Sequence, residues 1–186
     1  MIAIGIDLAG KDTNPTGFCV IEFNDSDSLL GCIEKITVNL LQTNDKILEK
    51  IAQTNPHIIA IDAPFSKPLN GPWRKSELLL LSRGFKPVSS QLQNMGILVD
   101  RVVELNKDLT NHRVIETFSR AIGPLLEINK NMLITSLEGK LEQKKLNKDQ
   151  YDAILCALTA MLHLKNKTEI LGNTENDMIV LPRKII

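Results

Sequence analysis

The stretch "MIAIGIDLAG", residues 1–10, decides how the rest of the chain is read. Ile2, Ile4, Ile6 and Leu8 fall on one side of a period-two alternation, with Ala3, Gly5 and Asp7 on the other, which predicts a β-strand. Aspartate is depleted in strands, and a buried, unpaired carboxylate is costly or surrenders its charge. An acid inside so regular a strand needs a use. The small residues sharing its face predict room beside the carboxylate.

Downstream, "GKDTNPTG" (10–17) is rich in turn residues, "FCVIEF" (18–23) predicts a second strand and "GCIEKITVNL" (31–40) a third. Short connections between them predict an antiparallel meander. "TNDKILEKIAQTN" (43–55) carries Ile47, Leu48, Ile51 and Ala52 on one helical face, with Thr43 or Asn44 as the cap and Asn55-Pro56 as the stop. "HIIAIDAPF" (57–65) is a continuous apolar run, as in a strand buried on both faces, ending at Asp62 before Pro64.

An insert at about 66–111 follows, with helices predicted in "RKSELLLLSRG" (74–84) and "NMGILVDRVVELNKDL" (94–109). "HRVIETFS" (112–119) predicts a strand carrying Glu116, "MLITSLEGKLEQKKL" (132–146) reads as helical, and "DMIVLP" (177–182) as a last short strand. The strongest helix is "KDQYDAILCALTAMLHLK" (148–165), apolar nearly all round except along Asp149, Asp152, Cys156, Thr159 and His163. A helix this apolar is buried, which points Asp152 into a crevice. Strands followed by strand–helix crossovers predict an α/β fold with a mixed sheet flanked by helices.

Asp7, Asp62, Glu116 and Asp152 thus sit where an acid has no easy structural reason. Each has a plainer reading. Asp7 could be a partly exposed residue near a sheet end, Asp62 an Asx-type turn before Pro64, Glu116 the partner of Arg113 or Arg120, and Asp152 a first-turn acid favoured by the helix dipole. Asp149 reads as the helix cap rather than a metal ligand. Clustered carboxylates repel one another unless a cation neutralises them, and hard oxygen donors suit Mg2+ or Mn2+. A pair of such metals can stabilise the attacking and leaving oxygens of phosphodiester cleavage. The chemistry these acids suggest is metal-dependent hydrolysis of nucleic acid.

With "GIDLAG", "AIDAPF", "VIETFSRAIG" and "DQYDAILCALTAMLHL" in order from Gly5 to about Leu164, the chain resembles the ribonuclease-H-like nuclease family catalogued as domain of unknown function 429. The resemblance implies one ribonuclease-H-like domain over residues 1–186, with a five-stranded mixed sheet, its first three strands antiparallel and its first strand central. A helical insert separates the fourth and fifth strands. It implies that Asp7 and Asp62 lie on neighbouring strands, that Asp7, Asp62 and Asp152 hold metal, and that Glu116 joins them as a catalytic residue and further ligand. The family commonly carries proline after "ETF", where this chain has Ser119.

Nucleic acid as partner requires local cations, because Lys+Arg and Asp+Glu balance at 22 each and overall charge signals no polyanion. Arg74, Arg83, Lys11 and Arg120 are the candidate phosphate contacts, and Trp73 a stacking surface or a core residue. Lys75, Lys86 and "KKLNK" (144–148) add charge that is more often a solvated face. Rival readings are a phosphotransferase of the sugar-kinase, actin and Hsp70 type, using residues 9–17 as a phosphate hairpin, and a non-catalytic nucleic-acid-binding or scaffold protein. No second Gly-rich loop supports the first. A haloacid-dehalogenase-type phosphatase needs a second Asp where Ala9 stands. Hydrophobic content of 43% with no apolar span of about 20 residues predicts a soluble chain, and no basic leader into an apolar run is present, which predicts a cytoplasmic location. Cys19, Cys32 and Cys156 fit no metal-ligand spacing and read as buried hydrophobes. Oligomeric state stays open, a homodimer included.

Overall fold

The computed structural model describes residues 1–143, 145–174 and 177–184. Lys144 of the basic run therefore lies outside the described residues. Three strands, β1 (Ile2–Asp7), β2 (Thr16–Phe23) and β3 (Ile33–Leu41), form the expected antiparallel meander. Helix α1 (Asn44–Thr54) crosses over to β4 (Ile58–Asp62), which lies parallel to β1. Helices α2 (Lys75–Ser82) and α3 (Gln93–Asp108) occupy the insert, and β5 (Val114–Glu116) pairs parallel with β4. The sheet order β3-β2-β1-β4-β5 places the first strand at the centre of a five-stranded mixed sheet. Helices α4 (Ser119–Leu125), α5 (Lys130–Ser136) and α6 (Lys148–Leu164) follow, and the hairpin β6 (Thr168–Thr174) and β7 (Asp177–Pro182) forms a sheet of its own.

Helix boundaries follow from their caps. The Thr43 hydroxyl accepts from the Lys46 amide at the start of α1, and Asn55 closes that helix in the left-handed region at φ 49°. Asn147 starts α6 through reciprocal bonds with Gln150, at 2.8 and 3.0 Å. Asp149, expected as that cap, sits instead in the first turn. The long helix read at 132–146 is only α5, because Gly139 turns the chain at φ 81° and Leu141 bridges to Ile36. The strand read at 112–119 stops at Glu116, and Ser119 opens a helix. The final strand has a partner in β6, unseen in the sequence, and does not join the main sheet.

The sheet is covered on both faces. Ile4, Ile6 and Leu8 pack toward Ile47, Ile51, Val102 and Leu105 of α1 and α3. Ala3, Cys19 and Ala60 pack toward α6, whose Ala153–Leu162 segment is buried throughout. All three cysteines are free and buried, as expected. Among the described residues no helix is long and apolar enough to cross a membrane.

Only part of the space beside Asp7 is open: Asp7 lines a cleft at the strand end, but the volume over its neighbour Gly5 is not free. The backbone of α6 fills it: a Cβ on Gly5 would meet the Ala153 carbonyl oxygen and the Ala157 nitrogen at 2.1 Å, and one on Gly17 would meet the Asp149 carbonyl oxygen at 2.0 Å. Gly17 lies opposite Asp7 on β2, so the two glycines form one shallow groove for the helix. Backbone atoms cannot step aside as a flexible side chain could. We expect Gly5→Ala to destabilise the protein by roughly 3 kcal/mol in urea unfolding; a loss below about 1 kcal/mol would show that α6 does not depend on this contact.

Candidate metal centre

Parallel strands β1 and β4 end together, with Asp7 directly opposite Asp62. Neighbouring strands are about 4.8 Å apart, and aligned residues of a parallel pair share a face. The two acids therefore project from the carboxyl ends of the central strands, where ligand sites of open α/β sheets gather. The third acid comes from the helix in the glycine groove. Asp152 precedes Ala153, which packs against Gly5 and Gly17, and its charge acts on both Asp7 and Asp62, so the packing that seats α6 also sets this carboxylate near the strand ends.

The acids feel one another. The Asp7 carboxyl is pushed from its ordinary 3.8 up to about 8, first by burial, then by the carboxylates of Asp62 and Asp152, with Asp149 adding to the rise and Lys148 opposing it. Asp62 is also raised, chiefly by burial and further by Asp152, although the Ser119 amide and hydroxyl favour its charged form. The amide of Ser119 donates to Asp62 Oδ2 at 3.2 Å, a bond that a proline at this position could not make. Asp152 is buried and accepts from Lys148 Nζ at 2.5 Å. The buried Cys156 thiol, one turn along the same helix, is held well above its usual range by burial and by all three carboxylates, so the polar stripe faces the cluster.

Glu116 stands differently. It pairs with neither Arg113 nor Arg120 but with Arg74, whose Nη1 donates to its Oε2 at 2.9 Å and whose Nη2 donates to Oε1. The Phe65 amide donates to the same Oε2 at 2.8 Å. Glu77 completes a buried cluster by accepting from Arg74 Nε at 3.3 Å. Burial raises the Glu116 carboxyl to about 7 against the opposing pull of Arg74. Because β5 aligns Glu116 with Ile61 rather than Asp62, its side chain leaves the opposite face of the sheet. Glu116 nevertheless borders the cleft of about 180 Å³ that also exposes Asp7, Asp62, Arg120 and Lys148.

The predicted phosphate contacts scatter. Arg74 is 4% exposed and committed to Glu116 and Glu77, so it is a buried ion-pair partner and not a free surface cation. Arg83 is paired with Glu169 at 2.6 Å, and Lys11 is exposed beside a separate hollow shared with Asp12 and Asp45. Arg120 alone of the four is both exposed and on the cleft. Trp73 is half-buried, and Lys75 and Lys86 are exposed. Sequence reasoning missed Lys148 and Ser119 as site residues. The signal for Lys148 was its place four residues before Asp152.

The donor chemistry fits a hard divalent cation: three carboxylates, two of them aligned, with repulsion that a cation would relieve. The cluster is not preassembled as a cage. Among the described residues no group of three or more His, Cys, Asp or Glu side chains stands ready to hold a metal ion, and Lys148 already occupies Asp152.

Comparison with known proteins identifies the fold. No family model matches the chain. No curated protein matches it. Among solved structures, Thermus thermophilus RuvC has a TM-score of 0.56 at 14% identity, with 89% of this chain and 96% of that one covered. T. thermophilus RuvC in complex with a Holliday junction substrate gives 0.54 at 16% identity over the same shares. The chain therefore has the ribonuclease-H-like fold, as the resemblance implies.

An acid that the fold keeps neutral stabilises the protein below its unfolded pKa and loses that contribution as pH rises through the folded one. In metal-free protein, Asp7 therefore lowers stability progressively between about pH 4 and pH 8, and Asp62 acts in the same direction. We expect metal-free Asp7→Asn to be more stable than the parent at pH 8 by about 2 kcal/mol, below the full linkage value because Asp7 borders a cleft, with the gap closing toward pH 4. Urea unfolding in chelator across that range checks this; parallel pH profiles for the two proteins would refute the strained-acid description.

Proposed function

We propose that the protein is a metal-dependent nuclease that hydrolyses phosphodiester bonds of DNA or RNA, with Asp7, Asp62 and Asp152 as ligands for Mg2+ or Mn2+. The observation that carries this reading is the pairing of Asp7 and Asp62 from β1 and β4 on one cleft, with the Asp152 carboxylate of α6 close enough to repel both. The ribonuclease-H-like fold and the nucleic-acid complex of one structural relative support it by analogy. The ordered motifs support the finer assignment to the domain-429 family; one domain over residues 1–186 and a cytoplasmic location are part of the same proposal.

Divalent metal, when bound, supplies charge to activate water and to stabilise the leaving oxygen. The protein's own groups do the rest. Asp7 and Asp62 are fixed by strand register, so two ligands are positioned before any substrate arrives. Ser119 orients Asp62 through its amide. Arg120, exposed on the cleft, offers a cation to the nucleic-acid backbone. Glu116 serves here as a positioning residue: it ties the Phe65 amide after β4 to Arg74 of the insert and so walls the cleft.

A second reading has its own support. Lys148 on Asp152 and Arg74 on Glu116 balance two of the acids without metal, which suits a non-catalytic nucleic-acid-binding or scaffold protein. A screen over single-stranded, duplex, hybrid and branched DNA and RNA separates the two. We expect cleavage in Mg2+ or Mn2+, none in chelator, and a loss of at least about a hundred-fold in folded Asp7→Asn. Binding without cleavage under either metal would reject the nuclease in favour of the second reading, and cleavage unchanged in the variant would place the reaction at another site.

A further inference from the structure

We propose that Lys148 is the resident counter-ion of the acid cluster, and that a divalent cation must displace its ammonium from Asp152 in order to bind. The inference rests on the metal reading of Asp7, Asp62 and Asp152 given above.

Helix energetics do not account for this lysine. Lys148 is the first residue of α6, immediately after the Asn147 cap, where the helix dipole disfavours a positive charge. Its bond to Asp152 runs from a base to an acid four residues later, the weaker orientation of such pairs, because the favourable order places the acid first. An isolated pair of this kind stabilises little. What favours a cation here is the set of carboxylates beyond the helix. The field of Lys148 reaches Asp7 and Asp62, and Asp152, Asp7 and Asp149 favour its charged form in return.

The geometry also allows release. The Lys148 side chain is 70% exposed while that of Asp152 is 10% exposed. The lysine can swing into solvent on its flexible stem without opening the core, whereas the acid stays where helix packing puts it. One ammonium cannot balance three ionised carboxylates, so a doubly charged ion is the stronger partner for the cluster once the ion is desolvated. An intramolecular cation at this position weakens metal affinity, and it protects the empty cluster from its own repulsion.

The test is Mn2+ binding to the full chain, read as loss of the free-ion signal in electron paramagnetic resonance and by calorimetry, with no substrate present. Lys148→Met keeps the length of the side chain and removes the charge. We expect it to bind Mn2+ about tenfold more tightly than the parent, whereas Lys148→Arg stays near the parent value. Adding Asp7→Asn to Lys148→Met should abolish the gain, which locates the ion. Equal affinities in the parent and Lys148→Met would overturn the counter-ion inference and leave the metal reading standing. No Mn2+ binding in either protein would remove the metal reading, and this inference with it.

Discussion

The approach of α6 to the glycine groove of β1 and β2 is the contact on which the rest of the structure depends. At Gly5 and Gly17 the helix backbone sits where a Cβ would be, closer than any side chain permits. That closeness has two results. It lets an almost wholly apolar helix bury its length against the sheet, joining Ala3, Cys19 and Ala60 to the larger core. It also fixes the height of Asp152 over the strand ends. An alanine at either glycine would displace the helix and, with it, the third carboxylate.

Around this contact, buried polar groups tie the irregular segments to the frame. Arg101 of α3 donates from Nη1 to the carbonyls of Ala9 at 2.6 Å and Lys11 at 3.1 Å, and from Nε to Asn44 at 3.0 Å. It thereby pins the turn that follows Asp7. Arg74 does the same for the chain after Asp62 through Glu116. Asp177 of β7 accepts from the amides of Lys75 and Ser76, each at 3.1 Å, and so caps α2 from a distant part of the chain. The two strand-end acids are thus braced from opposite sides by arginines of the helical insert. A buried arginine left without its carboxylate, or the reverse, is costly, so the Arg74–Glu116 pair fixes conformation whatever it adds to net stability.

What could be read from the sequence was whatever periodicity exposed. The strands of the main sheet, α1, α3 and α6 announce themselves through their apolar runs and spacing, and Asp7, Asp62 and Asp152 stand out because each interrupts such a pattern. Glu116 interrupted one too, but its partner lies 42 residues upstream in the insert, where no periodicity hints at Arg74. The same blindness made Arg74 look like a surface cation. Ala3 and Gly5 suggested space beside Asp7, because a missing side chain can be filled equally by solvent or by another backbone, and only packing decides. The strand β6 escaped notice because its partner β7 covers it outside the main sheet. Lys148 was lost in a charge run whose other members are solvated or lie outside the described residues.

The nuclease role proposed for this protein depends on Asp7, Asp62 and Asp152 acting together as ligands for a hard divalent cation. Crystals soaked in Mn2+ and measured at the manganese absorption edge test it most directly. The account predicts an anomalous peak bonded to carboxylate oxygens of Asp7 and Asp62, with Asp152 turned from Lys148 toward the ion. Mn2+ confined to other sites, with the Lys148–Asp152 pair intact at saturating metal, would contradict it.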